Sequence, residues 1–69
     1  MDLKNIGDLI KKRREFLNLR QEDLSELSKV ANKTIHLIEQ GNGNPSFETL
    51  NKIGEVLGLE ILLQVKMTS

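Results

Sequence analysis

The chain has 69 residues, of which 38% are hydrophobic and 29% are charged, a composition typical of one small globular domain. It contains no cysteine and a single histidine, so neither disulfides nor a cysteine–histidine metal site can supplement its small core. Ten basic and ten acidic residues give zero net charge, but the basic ones are concentrated in residues 1–20. This inventory argues against an enzyme, and we expect neither a metal nor another cofactor.

Four segments carry apolar residues at helical spacing. They predict helices over residues 6–17, 21–28, 32–40 and 47–57 of a single domain that spans residues 1–69. Ser46 is a suitable N-cap for the fourth helix, and Gly58 can adopt the left-handed conformation after it. Each helix is too short to be stable alone, so the sequence predicts an all-α fold, a compact four-helix bundle held by packing.

Beyond Gly58 the apolar residues alternate with mostly polar ones, which predicts a half-buried strand over residues 59–66. A lone strand leaves its backbone groups unpaired, so we expect it to pair with the same strand of a second copy across a two-fold axis. The alternative is a flexible tail, because Leu62 is out of phase. The residues of the strand face that we expect to bury against the helices are Leu59, Ile61, Leu63 and Val65.

Residues 21–40 have the pattern of two short helices that cross through a tight turn. Ser25 follows the apolar Leu24 at a place where a close helix crossing needs a small side chain, and Lys29 lies where the chain must reverse. This is the helix-turn-helix pattern, in which the second helix lies in the major groove of DNA and presents its first turns to the base edges.

On these features the chain resembles the XRE-type (Cro-like) helix-turn-helix repressors over nearly its whole length. The junction of the family's first two helices is similar to LNLRQEDLS at residues 17–25, and its recognition helix and exit are similar to TI at 34–35 and IEQG at 38–41. NPS at 44–46 and LEILL at 59–63 are most similar to the HipB-like antitoxin branch. The resemblance implies a lambda-repressor-like fold.

The resemblance also implies roles for individual side chains at DNA. The residues that it places against base edges are Asn32, Lys33, Thr34 and Leu37. The candidates for phosphate contacts are Gln21, Lys12, Asn42 and Asn44, with Lys11 beside Lys12. Asparagine can bond adenine with two hydrogen bonds, lysine can donate to guanine, and leucine can contact only a thymine methyl group. Ordinary solvated surface is the alternative for all of them, and the role of His36 is open.

The two arginines of the basic run KKRR at residues 11–14 differ in position from its two lysines. Arg13 and Arg14 lie near the apolar side of the first predicted helix, so neither can simply face water. The resemblance pairs Arg14 with Glu39 at the end of the recognition helix, and Arg13 is the alternative partner. The chain also departs from the family at Arg20 and Ala31, where N-cap side chains are missing, and at Lys29, where glycine is usual.

Two roles from different classes fit the resemblance. The first is a homodimeric repressor that binds a palindromic DNA operator and autoregulates a toxin–antitoxin operon, or a stand-alone, phage-type repressor. The second is an antitoxin that mainly binds and restrains a kinase-like toxin protein, which an exposed apolar patch near Phe47 or Leu62 would favour. We expect a cytoplasmic protein of bacterial or phage origin, because no apolar run approaches the roughly 20 residues of a membrane span.

Overall fold

The computed structural model describes residues 2–67, and these form an all-helical bundle. Its helices are α1 (Leu3–Phe16), α2 (Gln21–Ser28), α3 (Asn32–Glu39) and α4 (Phe47–Leu57). The prediction of an all-α bundle of four helices is therefore confirmed for the described residues. The first helix begins earlier than the predicted residue 6, because the carboxylate of Asp2 accepts the backbone N–H of Asn5 at 2.8 Å and caps it.

The hydrophobic core lies where the four helices meet. α1 packs against α3 and α4, and α2 packs against the same two helices. The buried apolar residues come from every helix and from the turn between α2 and α3, and they are Ile10, Leu24, Val30, Ile35, Ile38, Ile53 and Leu57. The amphipathic spacing of the sequence thus produces one continuous core that holds helices too short to form alone.

The helices α1 and α3 approach each other closely at Gly7, a residue for which the sequence pattern predicted no role. Gly7 is buried in α1, and a methyl group added there would collide with the backbone carbonyl oxygen of Ile38 in α3. Any larger residue would force the two helices apart, so Gly7 sets the distance between α1 and α3.

The turn between α2 and α3 is tight and partly strained. Lys29 ends α2 in the left-handed conformation, with φ 64° and ψ 22°, which costs a non-glycine residue about 1–2 kcal/mol. Two serines hold the turn: the hydroxyl of Ser25 donates to the carbonyl of Val30 at 2.7 Å, and the hydroxyl of Ser28 accepts the N–H of Val30 at 3.2 Å. These bonds fix the angle at which α3 leaves α2.

The start of α2 is capped without the usual serine or threonine. The backbone N–H of Arg20, the N-cap residue, donates to the carboxylate of Asp23 at 2.8 Å, and its guanidinium donates to the same carboxylate. Asp23 thus supplies one half of a capping box and compensates for the missing side-chain cap.

The segment after α4 forms no strand within the described residues. The backbone N–H of Leu59 donates to the carbonyl of Gly54 at 2.9 Å, and Leu59 and Ile61 are half-buried. Leu63 and Val65 are 86% and 93% exposed. In the single chain only the first half of the predicted face therefore reaches the groove between α1 and α4, and the burial of the whole face in a paired strand stays a prediction.

Candidate nucleic-acid interface

α3 separates a buried face from an exposed face. Its apolar Ile35 and Ile38 are buried in the core, and Glu39 is buried beside them. The residues on its outer side are exposed or, for Thr34, half-buried, and they are Asn32, Lys33, Thr34, His36 and Leu37. The structure therefore brings all four predicted base-reading residues to one outward face of one helix.

The first turn of α3 is open to a ligand at its backbone as well. Its N-cap, Ala31, has extended geometry with ψ 140° and provides no side-chain hydrogen bond to the helix. The first N–H groups of a helix have no partner inside it, and they carry the positive end of its dipole. The missing cap therefore leaves a polar, electropositive helix start beside Asn32 and Lys33.

A buried cluster fixes the other end of α3. Arg14 of α1 donates to both carboxylate oxygens of Glu39, from Nε at 2.7 Å and from Nη2 at 2.9 Å. The side-chain amide of Gln21, the first residue of α2, donates to the same carboxylate at 3.1 Å. These three residues, which we call the Glu39 cluster, connect the three helices that bear the candidate interface.

The electrostatics of the Glu39 cluster follow from its burial. The side chains of Arg14 and Glu39 are 10% and 3% exposed. Hydrogen bonding to Glu39 raises the pKa of Arg14, against the opposing effect of burial. A further bond from Nη1 of Arg14 to the carbonyl of Leu19, at 2.7 Å, gives each of the three guanidinium nitrogens an acceptor. The pair is therefore charged, bidentate and nearly enclosed.

Arg13, the alternative partner considered from the sequence, lies elsewhere. Its Nε donates to the carbonyl of Leu57 at the end of α4, at 2.7 Å. Its guanidinium lies 5.3 Å from the centroid of the Phe16 ring, which is cation–π distance. Arg13 thus joins α1 to α4, whereas Arg14 joins α1 to α3.

The predicted phosphate-contacting residues lie in three different places. Asn42 and Asn44 are exposed in the loop that follows α3, next to the base-reading face. Gln21 is half-buried, since its amide is engaged with Glu39. Lys12 is exposed on α1 but lies two residues from Arg14, about 200° around the helix, so it points away from α3.

The structure identifies a better-placed basic edge on α1. Lys4 lies against Gly41, the residue at which the loop after α3 begins: a β-carbon on Gly41 would be 3.0 Å from the Cα of Lys4. Lys11 is seven residues further, on the same side of α1 as Lys4. Both lysines are exposed. Lys11 follows Gly7, a residue of α1 that contacts α3, by four residues, which places the two on neighbouring turns of the same side of α1. Sequence reasoning counts Lys4 only among the basic residues of 1–20, because its place at the interface depends on how α1 crosses the end of α3.

Neither a metal-binding cluster nor a membrane-spanning helix occurs in the described part of the chain. Within residues 2–67 there is no cluster of three or more histidine, aspartate or glutamate side chains that could hold a metal ion. No helix among these residues is both long and apolar enough to cross a bilayer.

Comparison with known proteins identifies the family. The helix-turn-helix family HTH_3 matches residues 10–64, most of the chain. The chain therefore belongs to this family of XRE-type DNA-binding domains, which confirms that part of the resemblance seen in the sequence. The match does not distinguish the HipB-like branch.

Curated relatives are similar over most of this chain. A protein of Methanococcus vannielii named "Putative HTH-type transcriptional regulatory protein" is 39% identical over 62 residues, which cover 90% of this chain and 19% of the relative. Two proteins of Methanococcus maripaludis, from strains C5 and C7, carry names of the same kind. Each is 38% identical over 56 residues, which cover 81% of this chain and 17% of its own length. The chain spans less than a fifth of the length of these relatives.

Proposed function

We propose that this chain is a sequence-specific DNA-binding domain that represses transcription, acting as a dimer on a palindromic operator. The single observation that carries the proposal is the way α3 is presented. The N-terminal end of its outward face is exposed and has no side-chain cap, and the other end of the helix is fixed by the Glu39 cluster. A rigidly held helix with a polar first turn is the element that enters the major groove in helix-turn-helix proteins. The names of the relatives, putative HTH-type transcriptional regulatory proteins, support a role in transcriptional regulation.

At the proposed interface, the base-reading residues are Asn32, Lys33, Thr34 and Leu37. The residues proposed to contact phosphates are Asn42, Asn44 and Gln21, together with Lys4 and Lys11, while the orientation of Lys12 makes it the weakest candidate. Phosphate contacts position the protein on the duplex, and base contacts determine its sequence preference. A non-enzymatic, cytoplasmic regulator is part of the same proposal, because its operator would lie in cytoplasmic DNA.

Selection from a random pool of double-stranded DNA tests the proposal. We expect the chain to enrich one palindromic sequence, and Asn32→Ala to weaken binding to it by about 1–3 kcal/mol while binding to scrambled DNA changes little. The matched control is Asn51→Ala, since Asn51 is exposed on α4, which packs on α1 and α2. If no sequence is enriched, or if Asn32→Ala keeps full specificity, the proposed reading of DNA by α3 is wrong.

The proposal includes dimerisation through residues 59–66. Beyond Leu59, the backbone groups of the described residues have no main-chain hydrogen-bond partner, and Leu63 and Val65 are almost fully exposed. An antiparallel pair of these segments would satisfy the backbone and bury the apolar side chains. In two-fold dimers of this class the recognition helices lie about 34 Å apart, one turn of B-DNA.

The oligomeric state of a substituted chain tests this dimer. Replacing Leu63 and Val65 together with glutamate should lower the mass in sedimentation equilibrium towards that of the monomer and weaken operator binding by about 10²–10⁴-fold, the usual gain from linking two sites. The helical circular dichroism should persist, because neither side chain is buried in the single chain. The control replaces Gln64 and Lys66 with glutamate, on the alternate side of the segment. A dimer that survives the first change would exclude the strand as the interface.

A second candidate role is that of an antitoxin of the HipB-like kind, which would bind a kinase-like toxin and autoregulate the shared operon. One observation favours a protein partner: Phe47 and Leu62 are 67% and 65% exposed, and neither lies on α3. The test is co-expression with the product of an adjacent reading frame, followed by size-exclusion chromatography. Co-elution that is lost in Phe47→Ala would support the role, and a chain that elutes without the neighbouring product would exclude it.

A further inference from the structure

The loop between α3 and α4 contains an exposed asparagine, Asn42, that directly precedes a glycine, Gly43. The backbone N–H of Asn42 donates to the carbonyl of Leu37 at 2.9 Å, which holds the start of the loop against α3. After that bond, within the described residues, Gly43, Asn44 and Pro45 make no main-chain hydrogen bond before α4 begins. The backbone nitrogen of Gly43 is therefore free to change its orientation towards the side chain of Asn42.

This arrangement favours deamidation of Asn42 through a cyclic imide. The backbone nitrogen of Gly43 attacks Cγ of Asn42, and a new N–Cγ bond closes a succinimide ring. The side-chain nitrogen leaves with the backbone proton as ammonia. Water then opens the ring: cleavage of the N–Cγ bond gives aspartate, and cleavage of the original peptide bond gives isoaspartate. One water is consumed and one ammonia is released, with no oxidation or reduction.

The glycine that follows makes this asparagine more reactive than the others. Glycine has no side chain to obstruct the attack, and its φ of 81° carries no steric cost. Asn44 is also exposed in the loop, but it precedes Pro45, whose nitrogen has no hydrogen to lose. Asn18 precedes Leu19, whose N–H is held by the carbonyl of Arg14 at 3.0 Å. These two asparagines are therefore controls within the same chain.

The loop places this reaction at the candidate DNA interface. Asn42 borders a small hollow whose walls include Thr34 and Leu37 of the base-reading face. An amide can donate a hydrogen bond to a phosphate oxygen, whereas a carboxylate can only accept one and is negatively charged at neutral pH. We propose that Asn42 is a site of spontaneous deamidation, and that its conversion to aspartate or isoaspartate weakens the binding of an ageing chain to DNA; the effect on DNA rests on the proposed function.

Incubation of the purified chain for several days in mildly alkaline buffer, which accelerates imide formation, tests the inference. Peptide mass spectrometry should show replacement of the side-chain NH2 by OH at Asn42, while Asn18 and Asn44 keep their amides. The converted chain is separated by anion exchange, because it carries one more negative charge. In fluorescence anisotropy it should bind the operator enriched from a random pool at least about fivefold more weakly, since two like charges about 4 Å apart repel by about 1 kcal/mol even in water.

Three variants serve as controls. Asn42→Asp carries the product without incubation and should show the same loss of affinity. Asn51→Asp adds the same charge on the exposed side of α4 and should change the affinity little. In Asn42→Gln the longer side chain closes a ring far more slowly, so the affinity of this variant, whatever its starting value, should stay constant during incubation.

The outcomes separate the inference from the proposed function. If Asn42 keeps its amide during incubation, or if its conversion leaves operator affinity unchanged, the inference is wrong although the chain binds DNA as proposed. The same holds if Asn51→Asp weakens binding as much as Asn42→Asp does. If the fresh chain enriches no sequence from the pool, the proposed function itself is wrong, and the effect of deamidation on DNA binding fails with it.

Discussion

Removal of the Glu39 carboxylate should destabilise the chain severely. Glu39 accepts three hydrogen bonds, two from Arg14 and one from Gln21, and its side chain is only 3% exposed. In Glu39→Ala the guanidinium of Arg14 stays buried with a single remaining acceptor, the carbonyl of Leu19. The substitution therefore leaves a cation in the protein interior without a counterion.

The expected cost follows from the burial of that cation. Breaking a buried ion pair by removing one partner costs about 3–5 kcal/mol. A domain of this size is stable by about 3–10 kcal/mol, at about 0.05–0.15 kcal/mol per residue. Since about 1 kcal/mol shifts the melting temperature of such a domain by about 4–8 °C, Glu39→Ala should lower it by at least about 12 °C.

Thermal and urea unfolding, followed by circular dichroism, measure this loss. The matched control is Glu48→Ala, because Glu48 forms an ion pair with Lys52 at 3.4 Å in which both side chains are at least half exposed. Exposed pairs of this kind contribute about 0.3–0.5 kcal/mol, so the control should melt within a few degrees of the unsubstituted chain. If Glu39→Ala also melts within one or two degrees, the Glu39 cluster does not hold the fold and the reasoning is refuted.

Two further predictions concern α2. Lys29→Gly should stabilise the chain by about 0.5–1 kcal/mol, because relief of the left-handed strain at φ 64° exceeds the entropic cost of glycine. The control is Lys52→Gly inside α4, which should destabilise the chain by about 1 kcal/mol. The hydrogen bonds from Arg20 lower the pKa of Asp23 below 3.8. Because the folded state lowers this pKa, the charge-dependent stability that Asp23→Ala lacks should be fully present above about pH 3.8. It should be lost progressively as the pH falls below that value and through the lowered pKa of the folded state.

Urea unfolding checks both predictions. A Lys29→Gly chain that is less stable than the unsubstituted one would show that the surroundings of Lys29 compensate for its backbone strain. For Asp23, midpoints are compared at pH 7 and at pH 2.5, a value below the usual pKa of the carboxyl group. A difference that persists unchanged at the lower pH would show that the Asp23 carboxylate does not act through its charge.

The fold was predictable from the sequence where the signal is local. Apolar spacing predicted the bounds of α2 and α4. Ser46 and Gly58 cap α4 as expected, since the Ser46 hydroxyl accepts the N–H of Thr49 at 3.0 Å and Gly58 has φ 73°. The start of α1 was missed because Asp2 lies before the first residue of the apolar pattern. The sequence did contain an indication of this start, because aspartate is a preferred N-cap residue and Asp2 can accept the backbone N–H three residues later.

What the sequence could not predict depends on contacts between distant elements. No turn in the neighbouring sequence explains the glycine at position 7. Its role becomes visible only in the fold, where α1 crosses α3 and Gly7 lies against the carbonyl oxygen of Ile38. Lys4 is added to the candidate interface, and Lys12 becomes its weakest candidate, because the helix crossing decides which side of α1 faces α3. The segment 59–66 remains a prediction, because a strand that pairs with a second copy has no partner in a single chain.

The Glu39 cluster allows stability and DNA recognition to be separated. Replacing Arg14 and Glu39 together with leucine removes both buried charges, a change that is often neutral for stability when the volume is filled. Most of the stability lost in Glu39→Ala should therefore return, while α3 loses the bidentate contact that orients it and Gln21 loses its acceptor. The double variant should melt near the unsubstituted chain yet bind the selected operator more weakly. If it recovers full affinity, core packing alone orients α3, and the ion pair contributes only to stability.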